Sequence, residues 1–357
     1  MTNGGLILLF LATLSSQDPA EEVIRLNRAG QYQEARKVIQ RLIDGPANFN
    51  GAYRVSLWLW LGTIENTLSH YQKAQEALET GLRIAEENEL AAAEVRVSLL
   101  AALGEAHTSQ GHFRDADRVL REARDLAERQ LPAGHVRLAS VYDGFAALHL
   151  ARGQVSRAEA SIRQALSILE RHYGADHPIV AVQANALASL LIRMGRPALA
   201  IPIVEHSRRV LLDAYGPRHP DTILATYNMA AARIPSAPAA AEELLRAELA
   251  VWLESQPEQH TITVAFLMAL AKTRSLQRDY AGAIGYSARA LKLSRELWGP
   301  EHPQVVAEME SQAGLLKAAK RGKEAAALKK EANQIRERQG YPEPGQHTID
   351  IQTLRPH

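Results

Sequence analysis

The sequence predicts an all-α fold, a right-handed superhelical solenoid of about eight antiparallel helix pairs. Two landmarks with one period and one absence predict it. Histidines precede helix-like segments at His135, His177, His219, His260 and His302, with gaps of 42, 42, 41 and 42 residues. A small or polar residue followed five later by alanine recurs at Gly30/Ala35, Ser69/Ala74, Gly111/Ala116, Gly153/Ala158, Gly195/Ala200, Ser236/Ala241, Arg278/Ala283 and Lys320/Ala325. Those alanines are spaced 39, 42, 42, 42, 41, 42 and 42. Alternating, strand-like patterns are almost absent, so the apolar residues have to be buried on helical faces.

The chain opens on MTNGGLILLFLATLSSQDPAEE, which stands apart from the repeats. Leu6 to Leu14 is an apolar run interrupted by Thr13 alone, followed by Ser15 and Ser16 and then a charged stretch from Asp18. The run has the size of a signal-peptide core and falls short of the roughly 20 residues a spanning helix needs. No Lys or Arg precedes it. Residues 1–17 are therefore expected to be a signal peptide, giving a periplasmic or secreted protein. A cytoplasmic chain whose start is a mature helix is the alternative. No other apolar run is long enough to be an integral membrane segment.

Residues 18–338 are expected to form the repeats. Each unit reads as two helices. In the fourth, Ala158, Ile162, Ala165, Leu166, Leu169 and Tyr173 follow three-four spacing, the mark of one buried helical face. Before them, Val141, Phe145, Leu148 and Leu150 mark a first helix that Gly153 can end. The alanine after each inner turn lets two antiparallel helices approach closely. Gly174 and Gly216 then end the second helix, and Pro178 and Pro220 begin the next one, where a missing N–H costs nothing. The histidine before each proline falls at or near the N-cap, placed to pack across the loop or bond a free helix-end group. The first unit is short at its start, the sixth lacks a residue near ARIPSAPAAA, and Arg278 and Lys320 stand where the turn glycine belongs. Residues 339–357 form a tail expected to be irregular or extended.

Composition narrows the function. Hydrophobic residues make up 46%, enough for a core, while aromatics are only 5%, which suits close packing through small side chains. A net charge of +1 gives no global pull toward nucleic acid or membrane. Without cysteine there is no disulfide, thiolate metal site or cysteine nucleophile.

The motifs resemble a known family. Trp58-x-x-Leu61-Gly62 followed by Ala74 resembles the tetratricopeptide repeat signature. The 42-residue period, with YGADHP, YGPRHP, WGPEHP, NALASLL from Asn185 and ALAIPIV containing Pro202, is similar to the kinesin-light-chain subtype. The N-terminal heptad coiled coil of true kinesin light chains is absent. The resemblance covers nearly all of residues 20 to 338. It implies a concave surface lined by the first helix of each unit, where asparagines bind the backbone of an extended peptide.

Ten residues before the turn landmark lie Leu59, Ala101, Asp143, Asn185, Met268 and Glu310, with Tyr227 and Asn228 near this position in the sixth unit. One turn along the same face lie Asn66, Glu105, Ser189, Arg193 and Lys272. The candidate peptide-binding residues are thus Asn66, Glu105, Asp143, Asn185, Ser189, Arg193, Tyr227, Asn228 and Lys272. Only Asn185 and Asn228 fit an asparagine ladder.

Catalytic patterns are missing: no G-x-x-x-x-G-K-[ST], no G-x-S-x-G and no H-E-x-x-H. One loop histidine per unit sets ligands a repeat apart, too far to share one metal ion. His107 and His112 fall at a helix-to-turn junction and read as surface residues. Asp176 beside His177 gives way to Arg218 and Glu301 in sister loops, so it reads as charge decoration. Lys317, Lys320, Arg321, Lys323, Lys329, Lys330, Arg336 and Arg338 outnumber Glu324, Glu331 and Glu337 in the last unit, the polar outer face of a terminal repeat.

The leading expectation is a non-catalytic scaffold or adaptor whose partner is a protein or peptide, with no cofactor, no metal and no nucleic acid. The signal-like start and the preference for Arg over Lys point to a bacterial source. A cytosolic regulatory adaptor that senses a peptide is the alternative. An enzyme with a site hidden in the groove is a third class, against which the missing motifs weigh.

Overall fold

The apolar stripes form helices throughout. The computed structural model describes residues 20–28, 31–45, 51–68, 70–87, 92–254, 258 and 260–339. The signal-like segment and all of the tail after Gln339 lie outside the described residues. Unit 1 spans residues 1–187 and unit 2 residues 188–357. In unit 1 the helices are α1 (Ala20–Arg28), α2 (Tyr32–Asp44), α3 (Gly51–Thr67), α4 (Tyr71–Glu87), α5 (Ala93–Ser109), α6 (Phe113–Gln130), α7 (Arg137–Ala151) and α8 (Val155–Tyr173). The division falls inside α9 (Pro178–Arg193). Unit 2 continues with α10 (Pro197–Tyr215), α11 (Pro220–Arg233), α12 (Pro238–Leu253), α13 (Thr261–Leu276), α14 (Tyr280–Trp298), α15 (Pro303–Ala318) and α16 (Gly322–Gln339). No strand occurs among the described residues. The all-α class and the repeated helix pair are those the sequence predicts.

Each pair closes on its landmark alanine. Ala35, Ala74, Ala116, Ala158, Ala200, Ala241 and Ala283 are all 0% exposed, and Ala325 of the last pair is 8% exposed. Close approach is also built into the facing helix. A Cβ at Gly62 or Gly104 would collide with Leu78 or Leu120 of the paired helix, which explains the glycine of the Trp58-x-x-Leu61-Gly62 stretch. Around these contacts Val97, Leu99, Leu120, Val141 and Leu148 fill the core of unit 1. Ile223, Leu245, Val264, Phe266 and Leu267 fill that of unit 2.

The inner turns need one left-handed residue. Gly111, Gly153 and Gly195 supply it with φ of 79°, 70° and 70°, and Arg278 and Lys320 adopt the same conformation at 63° and 61°. The missing glycines of the last two pairs therefore changed the residue and not the turn, at a cost of roughly 1–2 kcal/mol each. The sixth unit, one residue shorter, makes the α11–α12 turn without a left-handed residue.

The loop histidines do both things their position allows. Nδ1 of His135, His177, His219, His260 and His302 accepts from the backbone N–H two residues on, at 3.3, 3.2, 3.2, 3.1 and 3.2 Å. Four of the rings also lie against the aromatic side chain that ends the preceding helix region. The pairs are Tyr173–His177, Tyr215–His219, Trp252–His260 and Trp298–His302, with centroids 4.6, 4.4, 4.8 and 5.4 Å apart. The repeated His-Pro is thus a hinge pin between helix pairs. Its imidazole satisfies an orphan N–H that a Ser or Asp side chain serves elsewhere.

Candidate functional site

The candidate residues sit on the first helices of their pairs, and the two units treat them differently. In unit 1 they lock neighbouring first helices together. Asn66 on α3 is 5% exposed, and its amide nitrogen donates to the Ala102 carbonyl of α5 at 3.0 Å. Its Oδ1 is buried without a hydrogen bond. Glu105 on α5 is buried at 8% exposure. Asp143 on α7 accepts from Gln183 of α9 at 2.6 Å. Burial pushes the Asp143 carboxyl up to about 7, with the Gln183 hydrogen bond pulling the other way. Asn185 on α9 is buried as well.

In unit 2 the same face is more accessible. Ser189 and Arg193, one turn apart at the end of α9, are half-buried. Met268 and Lys272 repeat that spacing on α13, where Met268 is half-buried and Lys272 exposed. Tyr227 and Asn228 on α11 are buried, and the Tyr227 ring meets Phe266 edge-on with centroids 5.3 Å apart. Tyr227 therefore contributes most of its ring to the core.

Two features escaped sequence reasoning. Gln183 partners Asp143, and its only signal is that the two residues are about one period apart on neighbouring first helices. Pairs also bridge the inner turns. Glu65–His70, His149–Gln154 and Arg274–Asp279 join side chains five residues apart at 2.6, 3.0 and 2.8 Å. His107 and His112 occupy the same two places, with ring centroids 6.0 Å apart. Burial lowers the pKa of His107 below its ordinary value. These are turn-bridging positions: His112 is exposed, but His107 is buried at 6% exposure because its place on α5 faces into the packing, so it is not the surface residue the sequence predicts. Among the described residues no group of three or more His, Asp or Glu side chains is arranged to hold a metal ion. No described helix is long and apolar enough to cross a membrane.

Comparison with known proteins follows the same lines. The tetratricopeptide repeat family matches residues 137–211 and, through a second repeat type, residues 263–304. No curated protein matches the sequence. A Rap protein complexed with Competence and Sporulation Factor is similar in structure, with a TM-score of 0.57, 14% identity and coverage of 94% of this chain and 99% of that one. A Signal Transduction ATPase with Numerous Domains protein from Pyrococcus horikoshii, with a tetratricopeptide repeat sensor, has a TM-score of 0.60 and 10% identity over 95% of this chain and 54% of that one. TPR-like repeats assigned to a kinesin light chain of Podosopora anserina share 17% identity, cover 58% of this chain and 98% of that one, and have a TM-score of 0.47. With the two family matches falling on helix pairs already described, the chain carries tetratricopeptide repeats at residues 137–211 and 263–304, within a longer run of the same unit.

Proposed function

We propose that the chain is a non-catalytic scaffold that binds a protein or an extended peptide on the face lined by its first helices. One observation carries this reading. Each second helix buries one side in its pair and turns the other to solvent, and the first helices are buried over most of their surface. On the first helices of unit 2, Ser189, Arg193 and Met268 nevertheless stay partly exposed and Lys272 exposed. Such a face offers hydrogen-bond donors and acceptors of mixed kind, which suits recognition of a polar segment. Glu105, Asp143 and Asn185 in unit 1, and Tyr227 and Asn228 in unit 2, are proposed as contacts within their own units. The Rap protein of similar fold is complexed with Competence and Sporulation Factor, and binding of a partner is likewise proposed for this chain. We place the mature protein in the periplasm or outside a bacterial cell, on the strength of the Leu6 to Leu14 run.

Asparagine suits backbone recognition because its amide matches a peptide N–H and C=O together. Each neutral hydrogen bond nets about 0.5–1.5 kcal/mol. The variant Asn185→Ala/Asn228→Ala is expected to weaken a captured partner by roughly ten- to a hundredfold in calorimetry, at about 1.4 kcal/mol per tenfold. Asn185 and Asn228 are buried, so melting curves are taken alongside and the affinities compared where both proteins are folded. Unchanged affinity with unchanged melting would move the site off this face.

A further inference from the structure

Where α14 meets α15, the first helix of the last pair, a polar cluster stands at positions that are mostly apolar at the sister junctions. Eight residues before the loop histidine stand Ala127, Leu169, Leu211 and Trp252, but Ser294 in the last case. Six residues after it stand Val141, Gln183, Ala225 and Phe266, but Glu308 in the last case. Ser294, Gln304 and Glu308 are each 0% exposed. One carboxylate oxygen of Glu308 accepts from the Gln304 side-chain amide at 3.3 Å. Its other oxygen is buried without a hydrogen bond, and so is the Gln304 carbonyl oxygen. Val305, Val306, Met309, Leu291, Ala332 and Ile335 pack around the cluster.

No cation reaches Glu308. On α14, Arg295 is held by Glu331 at 2.9 Å and Lys292 lies beside Glu296 at 3.9 Å. On α16, Arg336 pairs with Glu310. On α13, Lys272 is exposed and Arg274 is bound by Glu242 and Asp279. His302, on the same pair, is stacked on Trp298. An ionised carboxylate in this setting is a buried charge beside neutral groups alone, a costly state. Burial accordingly raises the Glu308 carboxyl to about 7, and the Ser294 and Gln304 side chains only partly offset it.

We propose that α15 and α16 form a proton-gated end of unit 2, closed while Glu308 carries its proton and loosening as it ionises. The sign follows from linkage. In the open pair Glu308 meets water and titrates at its ordinary value of 4.5, so above that value the open form loses a proton that the closed form keeps. Rising pH therefore favours opening until the closed form ionises too. Opening uncovers Val305, Val306 and Met309, so a proton signal is converted into an accessible apolar face.

Hydrogen exchange of residues 303–339 in the full chain tests this, with intrinsic rates corrected, from pH 5 to 8. Glu308→Gln and Glu308→Met are both neutral at that position. The opening constant of the wild type divided by that of either variant should rise about tenfold per pH unit between about pH 5 and 7 and then level off. Taking this ratio cancels the opposite contribution of His302, present in all three proteins. If the Gln variant fails to fold, the Met variant carries the test. A ratio that does not change with pH overturns the proposal.

Discussion

The imidazole of His177 lies on the ring of Tyr173, with centroids 4.6 Å apart and 23° between the planes. Its Nδ1 accepts from the Ile179 N–H at 3.2 Å, so one side chain joins the end of α8 to the start of α9. An acceptor at Nδ1 requires an imidazole without a proton there.

Acid should weaken this hinge. Burial, helped by the neighbouring His172, lowers the His177 pKa below its ordinary value of 6.5. The unfolded chain therefore takes up a proton first. The stability contributed by the neutral ring is complete above about 6.5 and is lost as pH falls through the lower native value. Asparagine caps helices and does not titrate in this range. In urea unfolding, His177→Asn should lose less stability than the wild type between pH 7 and 5. Equal losses would show that the ring does not carry the dependence.

The two kinds of turn glycine should differ in what they tolerate. Gly174 has φ 84° and ψ 158°, a region essentially confined to glycine, and a Cβ there would meet nothing within 4 Å. Its substitution cost is therefore purely conformational. Gly153 at φ 70° sits where Arg278 and Lys320 are accepted in later pairs. Gly174→Ala is expected to cost about 1–3 kcal/mol and Gly153→Ala about 1–2 kcal/mol. Denaturant midpoints measured side by side check the order, which would be reversed if packing and not φ governed these sites.

Asn66 should behave as a structural residue. Asn66→Ala strips the hydrogen bond from the buried Ala102 carbonyl, at a cost of roughly 1–3 kcal/mol. Calorimetric unfolding of Asn66→Ala beside the wild type checks this: the variant is expected to melt lower, and equal melting would contradict the structural role.

The sequence exposed the repeat because packing enforces it: the helix crossings at Ala158 or Ala200 accept only a small side chain, so the period survives where other residues drift. The histidine hinge was legible in part. Position alone indicated a cap, whereas stacking on Tyr173 or Trp298 depends on where the loop carries the ring. The binding face was least legible. Asn66 and Asn185 fall on the same side of their helices by spacing, yet Asn66 is committed to Ala102 because α5 passes within reach. Asp143 likewise meets Gln183 through helix-to-helix geometry that no local pattern encodes. Glu308 could have been noticed as a charged residue at a core position, but its burial depends on how α15 packs beside Ser294 of α14.

The central claim is that partners bind the face of the first helices. A photo-crosslinking amino acid placed in the native host at Ser189 or at Lys272 tests it most directly, with Arg163 on the exposed side of a second helix as the reference. The account predicts that one and the same partner is captured from both first-helix positions and not from Arg163. Capture from Arg163, with none from Ser189 or Lys272, would contradict it.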